Sequence, residues 1–220
     1  MKDCRNLKFF LSSIQMESLE SLKLEALTEI QGNMELLSEL LLGCTAIREL
    51  PSSIGRLFGI SLLDLHSCKN LVGLPDSVSK MRKLKVLILK GCLNLATFPE
   101  SLGDLEGLEE LYAGNTAIRR LPDSMIKLNR LKILSLKRTR KINSEFARDR
   151  IFPCAFDGLK ELKSLDLSGC ILSGDKIFAR INLSRNKFVS LPDSISQLYR
   201  LRYLNITHCH ELPKLPQIYI

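Results

Sequence analysis

The sequence predicts an α/β leucine-rich solenoid, a horseshoe with a curved parallel β-sheet on its concave face and short helical or 3₁₀ turns and loops on its convex face. Three observations predict it. Leucines recur as LxxLxL at steps of 23 or 24 residues, with starts at Leu37, Ile60, Leu84, Leu108 and Leu131. Self-similarity at that period marks stacked repeats, not a globule with one centre. A small residue closes the phrase, as in Cys68, Cys92 and Thr116, and a Leu-Pro or Phe-Pro pair follows, as in Leu74-Pro75 and Phe98-Pro99.

The unit from Leu84 to Leu105 shows each element in turn. Leu87 and Leu89 occupy alternate positions of a short strand, so both point inward while Ile88 points out. Strands of successive repeats lie about 4.8 Å apart, and nine phases predict one inner sheet roughly 40 Å long. Each fully buried leucine contributes on the order of 1.5–3 kcal/mol, so the leucine ladder dominates stability. The ninth position holds Cys4, Thr45, Cys68, Cys92, Thr116, Thr139, Cys170, Asn186 and Cys209. The chain turns away from the sheet there, and a small donor can satisfy a carbonyl of a neighbouring turn. Proline then fixes φ and stops the strand. The phrases SSIGRL, DSVSKM, ESLGDL, DSMIKL and DSISQL place two apolar residues three apart. That spacing suits a single helical or 3₁₀ turn, with Ser or Asp near its start as the cap.

Residues 1–220 form a single domain of about nine repeat phases, incomplete at both ends. Cys4, Leu7, Phe10 and Ile14 repeat the spacing of Cys68, Leu71, Leu74 and Val78, so the first unit is entered part-way. Shortened units are expected near 24–37 and 172–181, and a longer convex loop near 139–158. Neither end carries the polar cap that terminal repeats need, which points to a piece of a longer chain.

Composition excludes several classes. With 45% hydrophobic and 25% charged residues the chain is neither disordered nor membrane-spanning. The first residues lack the apolar core and cleavage site of a secretory signal. Seven cysteines, an odd number with no CxxC pair, read as buried thiols in a reducing compartment. The net charge of +8 is concentrated in residues 119–150, so a uniform nucleic-acid-binding surface is not expected. No serine elbow or paired-carboxylate phrase points to catalysis.

Several phrases resemble the leucine-rich repeats of plant TIR-type nucleotide-binding leucine-rich-repeat disease resistance proteins. They are GNMELLSELLLGCTAIRELPSSIGRL, LLDLHSCKNLVGLPDSVSKMRKLKVLILKGC, GNTAIRRLPDSM and LRYLNITHCHELPKLP. The likeness runs over nearly the whole chain. It implies a non-enzymatic protein-recognition module that senses pathogen effectors or altered host proteins and holds a neighbouring nucleotide-binding domain at rest. It implies a cytoplasmic location, with the nucleus as a second site, and no cofactor, metal, nucleic acid or membrane partner. No GxxxxGK[ST] phosphate loop and no TIR segment is present, so nucleotide binding and NAD cleavage do not carry over. The alternative is a freestanding intracellular scaffold of the Ras-group leucine-rich-repeat kind, suggested by the same LPxxI phrase.

Candidate partner-binding residues fall on the concave face. Leu41, Ile88 and Tyr112 are expected as an exposed apolar row on adjacent strands, with Asp64 at the same repeat position and Tyr203 near the far end. His66, Lys90, Lys137, Arg138 and Arg185, with His208, are expected to give the ascending edge a positive field for an acidic partner. The run from Lys137 to Lys141 reads as a solvated loop before it reads as a localisation signal. His208-Cys209-His210 alternate faces and do not converge on one metal ion. Asn182-Leu-Ser184 and Asn205-Ile-Thr207 match the glycosylation pattern but lie in predicted strands.

Overall fold

A computed structural model describes residues 21–23, 37–137, 159–166, 180–182 and 203–212. Its backbone is a run of three-residue strands, followed in the regular repeats by a turn and a five-residue 3₁₀ helix. The strands are β1 (Ser21–Lys23), β2 (Glu39–Leu41), β3 (Leu62–Asp64), β4 (Val86–Ile88) and β5 (Glu110–Tyr112). They continue as β6 (Ile133–Ser135), β7 (Ser164–Asp166), β8 (Arg180–Asn182) and β9 (Tyr203–Asn205). Every pairing is parallel, and sequential strands are spatial neighbours. The repeat register is kept throughout: Leu40 pairs with Leu63, Leu63 with Leu87, Leu87 with Leu111 and Leu111 with Leu134.

Among the described residues the expected single nine-strand sheet is divided. β1 to β7 form one sheet and β8 and β9 a second. The short step from Leu22 to Leu40 still leaves β1 in register with β2, and the long step from β6 to β7 is also bridged. Extra or missing residues therefore do not shift the strands, because the inward leucine fixes the register. The shortened units near 24–37 and 172–181 and the loop near 139–158 lie largely or wholly outside the described residues.

The core is a stack of layers. Leu65, Leu89 and Leu136 are fully buried, as are their strand partners Leu63, Leu87 and Leu134. Ile54, Leu57, Val78, Met81, Leu102, Leu105, Met125 and Leu128 close the core from the opposite side. Leu204, Ile206, Cys209 and Leu212 pack against this core, partly buried. Strands β2 to β6 each read half-buried, buried, half-buried, the alternation expected of a sheet with one face on the core.

The convex elements are 3₁₀ helices at Ser52–Arg56, Asp76–Lys80, Glu100–Asp104 and Asp123–Lys127. Their caps differ from expectation. The N-cap is proline in all four, and no side chain makes a cap hydrogen bond. Proline holds the extended φ and ψ of the cap, and its carbonyl accepts the N–H three residues on. Ser and Asp stand one place later, at the first helical residue, where an acidic group meets the positive end of the helix dipole.

Adjacent 3₁₀ helices touch at backbone distance. A Cβ built on Gly103 would stand 1.9 Å from the Ser124 carbonyl oxygen, and one on Gly55 2.5 Å from that of Ser77. The Gly103 N–H also donates to Ser124 Oγ at 3.1 Å. Among the described residues no helix is long and apolar enough to cross a membrane.

Candidate functional site

The ladder of backbone hydrogen bonds is longer than the three-residue strands. It begins at the second repeat position, where Lys85 N–H donates to Ser61 O and Glu109 N–H to Lys85 O. It ends at the eighth, where Cys44 N–H donates to His66 O, Ser67 N–H to Lys90 O and Asn115 N–H to Lys137 O. Side chains at positions three, five and seven therefore share the outward face of the sheet. The eighth residue turns left-handed: φ is 62° at Cys44, 57° at Ser67, 84° at Gly91, 54° at Asn115 and 61° at His208. Gly and Asn tolerate that region; Cys44 and Ser67 are held in it by the ladder.

Seven of the ten candidate partner-binding residues come together on this face. The fifth-position row runs Leu41, Asp64, Ile88, Tyr112, Ser135 and Asp166 in direct register. Its apolar members are not on three adjacent strands, because Asp64 stands between Leu41 and Ile88. Nor are they exposed: Leu41, Ile88 and Tyr112 are half-buried, since neighbours 4.8 Å away cover part of each side chain. The large exposed hydrophobics among the described residues are Phe58, Val72 and Ile126 instead, and none of them lies in a strand.

Polar contacts order the rest of the face. Tyr112 donates its hydroxyl to Glu110 Oε2 at 2.8 Å. Partial burial, then the glutamate, pushes the phenol above its ordinary range. Lys132 pairs with Glu109 across one strand step. That hydrogen bond, more than the nearby Lys85 and Arg130, holds the Glu109 carboxyl below its usual range. Asp64 accepts from His66, so the histidine expected to add positive field is bound to a carboxylate. Lys90 and Lys137 are exposed at position seven, with Gly114 between their strands. Arg138 and Arg185 lie outside the described residues, and Tyr203 opens β9 opposite Arg180 in the second sheet.

The ninth position satisfies backbone carbonyls in two ways, across repeats as expected and within one repeat. Cys68 and Cys92 donate to carbonyls of the preceding repeat, Leu42 O and Leu65 O, each at 3.0 Å. Thr45 and Thr116 donate within their own repeats, to Leu42 O and Ala113 O. Burial, and then its neighbour Cys68, pushes the Cys92 thiol up to about 12. None of the four described cysteines is in a disulfide. The His208 and His210 rings meet edge to face at 5.9 Å. Asn205 Oδ1 accepts from both the N–H and the hydroxyl of Thr207, a local turn within the glycosylation-like phrase. Sequence reading missed Glu39 and Glu110 on the outward face, and it took every cysteine as buried, whereas Cys44 is exposed and Cys209 half-buried. A thiol one place before the usual small residue was the only available signal.

A parallel sheet with a ladder of inward leucines, backed by stacked 3₁₀ turns, defines a leucine-rich-repeat protein, a class whose open sheet face serves protein binding. Solved structures agree. The leucine-rich-repeat domain of the type III effector XopL matches with a TM-score of 0.57 and 26% identity, over 90% of this chain and 71% of that one. A Leptospira interrogans leucine-rich-repeat protein matches with a TM-score of 0.54 and 26% identity, over 87% of this chain and 50% of that one. No protein-family model matches the chain. In sequence it is 37% identical over 240 aligned positions, 99% of its length, to TMV resistance protein N of Nicotiana glutinosa. Its repeats are similar to the leucine-rich repeats of that plant resistance protein, as the phrases quoted from the sequence imply. The chain spans 20% of the length of that relative.

Proposed function

We propose that the chain is a recognition surface of plant innate immunity, sensing a pathogen effector or an altered host protein and restraining a nucleotide-binding neighbour. The observation that carries the reading is the outward face from β2 to β6. There Leu41, Ile88 and Tyr112 lie among Glu39, Asp64, Glu110, Lys90 and Lys137 in fixed register. Half-buried apolar groups ringed by charges are what a protein interface uses for contact and orientation. The likeness to a resistance protein along almost the whole chain supports the immune setting. The backbone bonds of the strands are made within the ladder, so a partner meets side chains and not a free edge between repeats.

A pull-down from plant extract, comparing the wild type with the Ile88→Asp/Tyr112→Asp pair, tests the reading. Both side chains are half-buried and outside the leucine ladder, so the double variant is expected to keep its fold and lose its partner. A captured partner retained at wild-type level by a folded double variant refutes the assignment of this face. A salt titration separates the two contributions: affinity that is flat with ionic strength removes Lys90 and Lys137 from any steering role.

A further inference from the structure

Three side chains stand in line at the turn beyond β2 and β3. Asp64 closes β3, and His66 follows two residues later on the same face. The Asp64 Oδ1 atom accepts the His66 backbone N–H at 2.8 Å. Both carboxylate oxygens lie 2.9 Å from His66 Nδ1. The Asp64 carboxylate only accepts, so in the neutral imidazole Nδ1 carries the proton and Nε2 presents a lone pair. Cys44 Sγ lies 3.3 Å from Nε2 and donates to it in that tautomer. The backbone reinforces the arrangement, because Cys44 N–H is bonded to His66 O at 2.7 Å.

Gly43 makes room for the ring. A Cβ there would stand 2.1 Å from His66 Cε1 and 2.2 Å from Nδ1. The imidazole therefore lies over the backbone of the preceding repeat, with one nitrogen on the carboxylate and the other on the thiol. This is a nucleophile, a base and a group that orients the base. The thiol is exposed, whereas Cys68 and Cys92 are fully buried and spend their S–H groups on carbonyls.

Two other chemistries fit poorly. The ring nitrogens face opposite partners, so thiol and carboxylate do not converge on one ion. No group of three metal-ligating side chains occurs among the described residues. Acyl transfer needs donors for an oxyanion, and the Cys44 amide is already committed to His66 O. What remains is a thiol poised for a single covalent step.

We propose that Cys44 is a modification site for small disulfides, with His66 as its base and Asp64 as the positioning residue. His66 Nε2 takes the S–H proton as the sulfur attacks one sulfur of the disulfide. A new S–S bond forms between Cys44 and that half, and the original S–S bond breaks. The other half departs as a thiolate and takes the proton from the imidazolium, leaving as a thiol. The product is a mixed disulfide on the rim of the outward face, which a thiol reductant reverses.

The test uses the full chain and the neutral disulfide dithiodipyridine, with glutathione disulfide as a second probe and peptide mapping to assign each adduct. In the unmodified folded chain Cys44 is expected to react at least about tenfold faster than Cys68 and Cys92. It is also expected to react faster folded than in urea; a Cys44 that reacts more slowly when folded overturns the proposal without any variant. His66→Gln is expected to slow Cys44 about tenfold and Asp64→Asn severalfold, with Cys68 and Cys92 still protected as the sign of an intact fold. A thiol reactive merely by exposure would react as fast or faster once the covering imidazole is removed. Wild-type rates at Cys44 in both variants therefore overturn it as well.

Discussion

Gly103→Ala is the sharpest probe of how the repeats stack. The new Cβ would sit 1.9 Å from Ser124 O, 2.5 Å from Ser124 C and 2.8 Å from its Cβ. The nearest of these are backbone atoms of the neighbouring 3₁₀ helix, so no rotamer change relieves the clash. Ordinary contact requires the two turns to part by about 1.5 Å, which opens the packing between Leu102, Leu105, Met125 and Leu128. Overpacking of this kind costs roughly 1–3 kcal/mol. Losing the Gly103 N–H to Ser124 Oγ bond adds about 1 kcal/mol. The expected loss is therefore about 2–4 kcal/mol. With a urea m-value of roughly 2–3 kcal/mol/M, the midpoint falls by about 1 M. Gly73→Ala is the matched control, because a Cβ there meets nothing within 4 Å. It should be neutral or stabilise by about 0.5 kcal/mol through the unfolded chain. Equal midpoints for the two variants in urea melts followed by circular dichroism would refute the stacking argument.

Gly91→Ala is expected to destabilise by about 1–2 kcal/mol in the same melts, since its φ of 84° is left-handed and its Cβ would press on Ser67 Oγ at 3.1 Å. Leu111→Ala should cost about 2–5 kcal/mol by opening a cavity in the leucine ladder. The Glu109–Lys132 pair predicts a pH dependence. Its carboxyl titrates lower in the folded chain than in the unfolded one, so its stabilisation is present at neutral pH and lost as pH falls through the folded-state value. Lys132→Met should lower the melting temperature at pH 7 and leave it unchanged once both states are protonated in strong acid. Tyr112 predicts the opposite trend at high pH: its raised phenol favours the folded state below the ordinary tyrosine range and loses that stabilisation above it. Spectrophotometric titration of wild type against Glu110→Gln should show the tyrosine ionising earlier in the variant.

The sequence by itself determined the repeat, the direction of every inward leucine and the proline that ends each strand. These are local choices enforced by a period of 23 or 24 residues, and burial rewards each leucine independently of the next repeat's outer residues. It also placed Leu41, Asp64, Ile88 and Tyr112 on one face, because alternation along a strand needs no tertiary information. It misjudged their exposure, since cover comes from the strands on either side.

Tertiary structure alone decided three further matters. Position eight is left-handed in each described repeat, yet only Gly91 and Asn115 advertise it; Cys44 and Ser67 are held there by bonds to the next repeat. Gly103 and Gly55 look like ordinary turn glycines until the adjacent 3₁₀ helix is placed against them. Cys44 and His66 are 22 residues apart in sequence, and only the parallel register brings the thiol to the imidazole. The physical reason is common to all three. A solenoid's local chemistry is written within one repeat, but its close contacts are made between repeats, at distances that depend on how the coils stack.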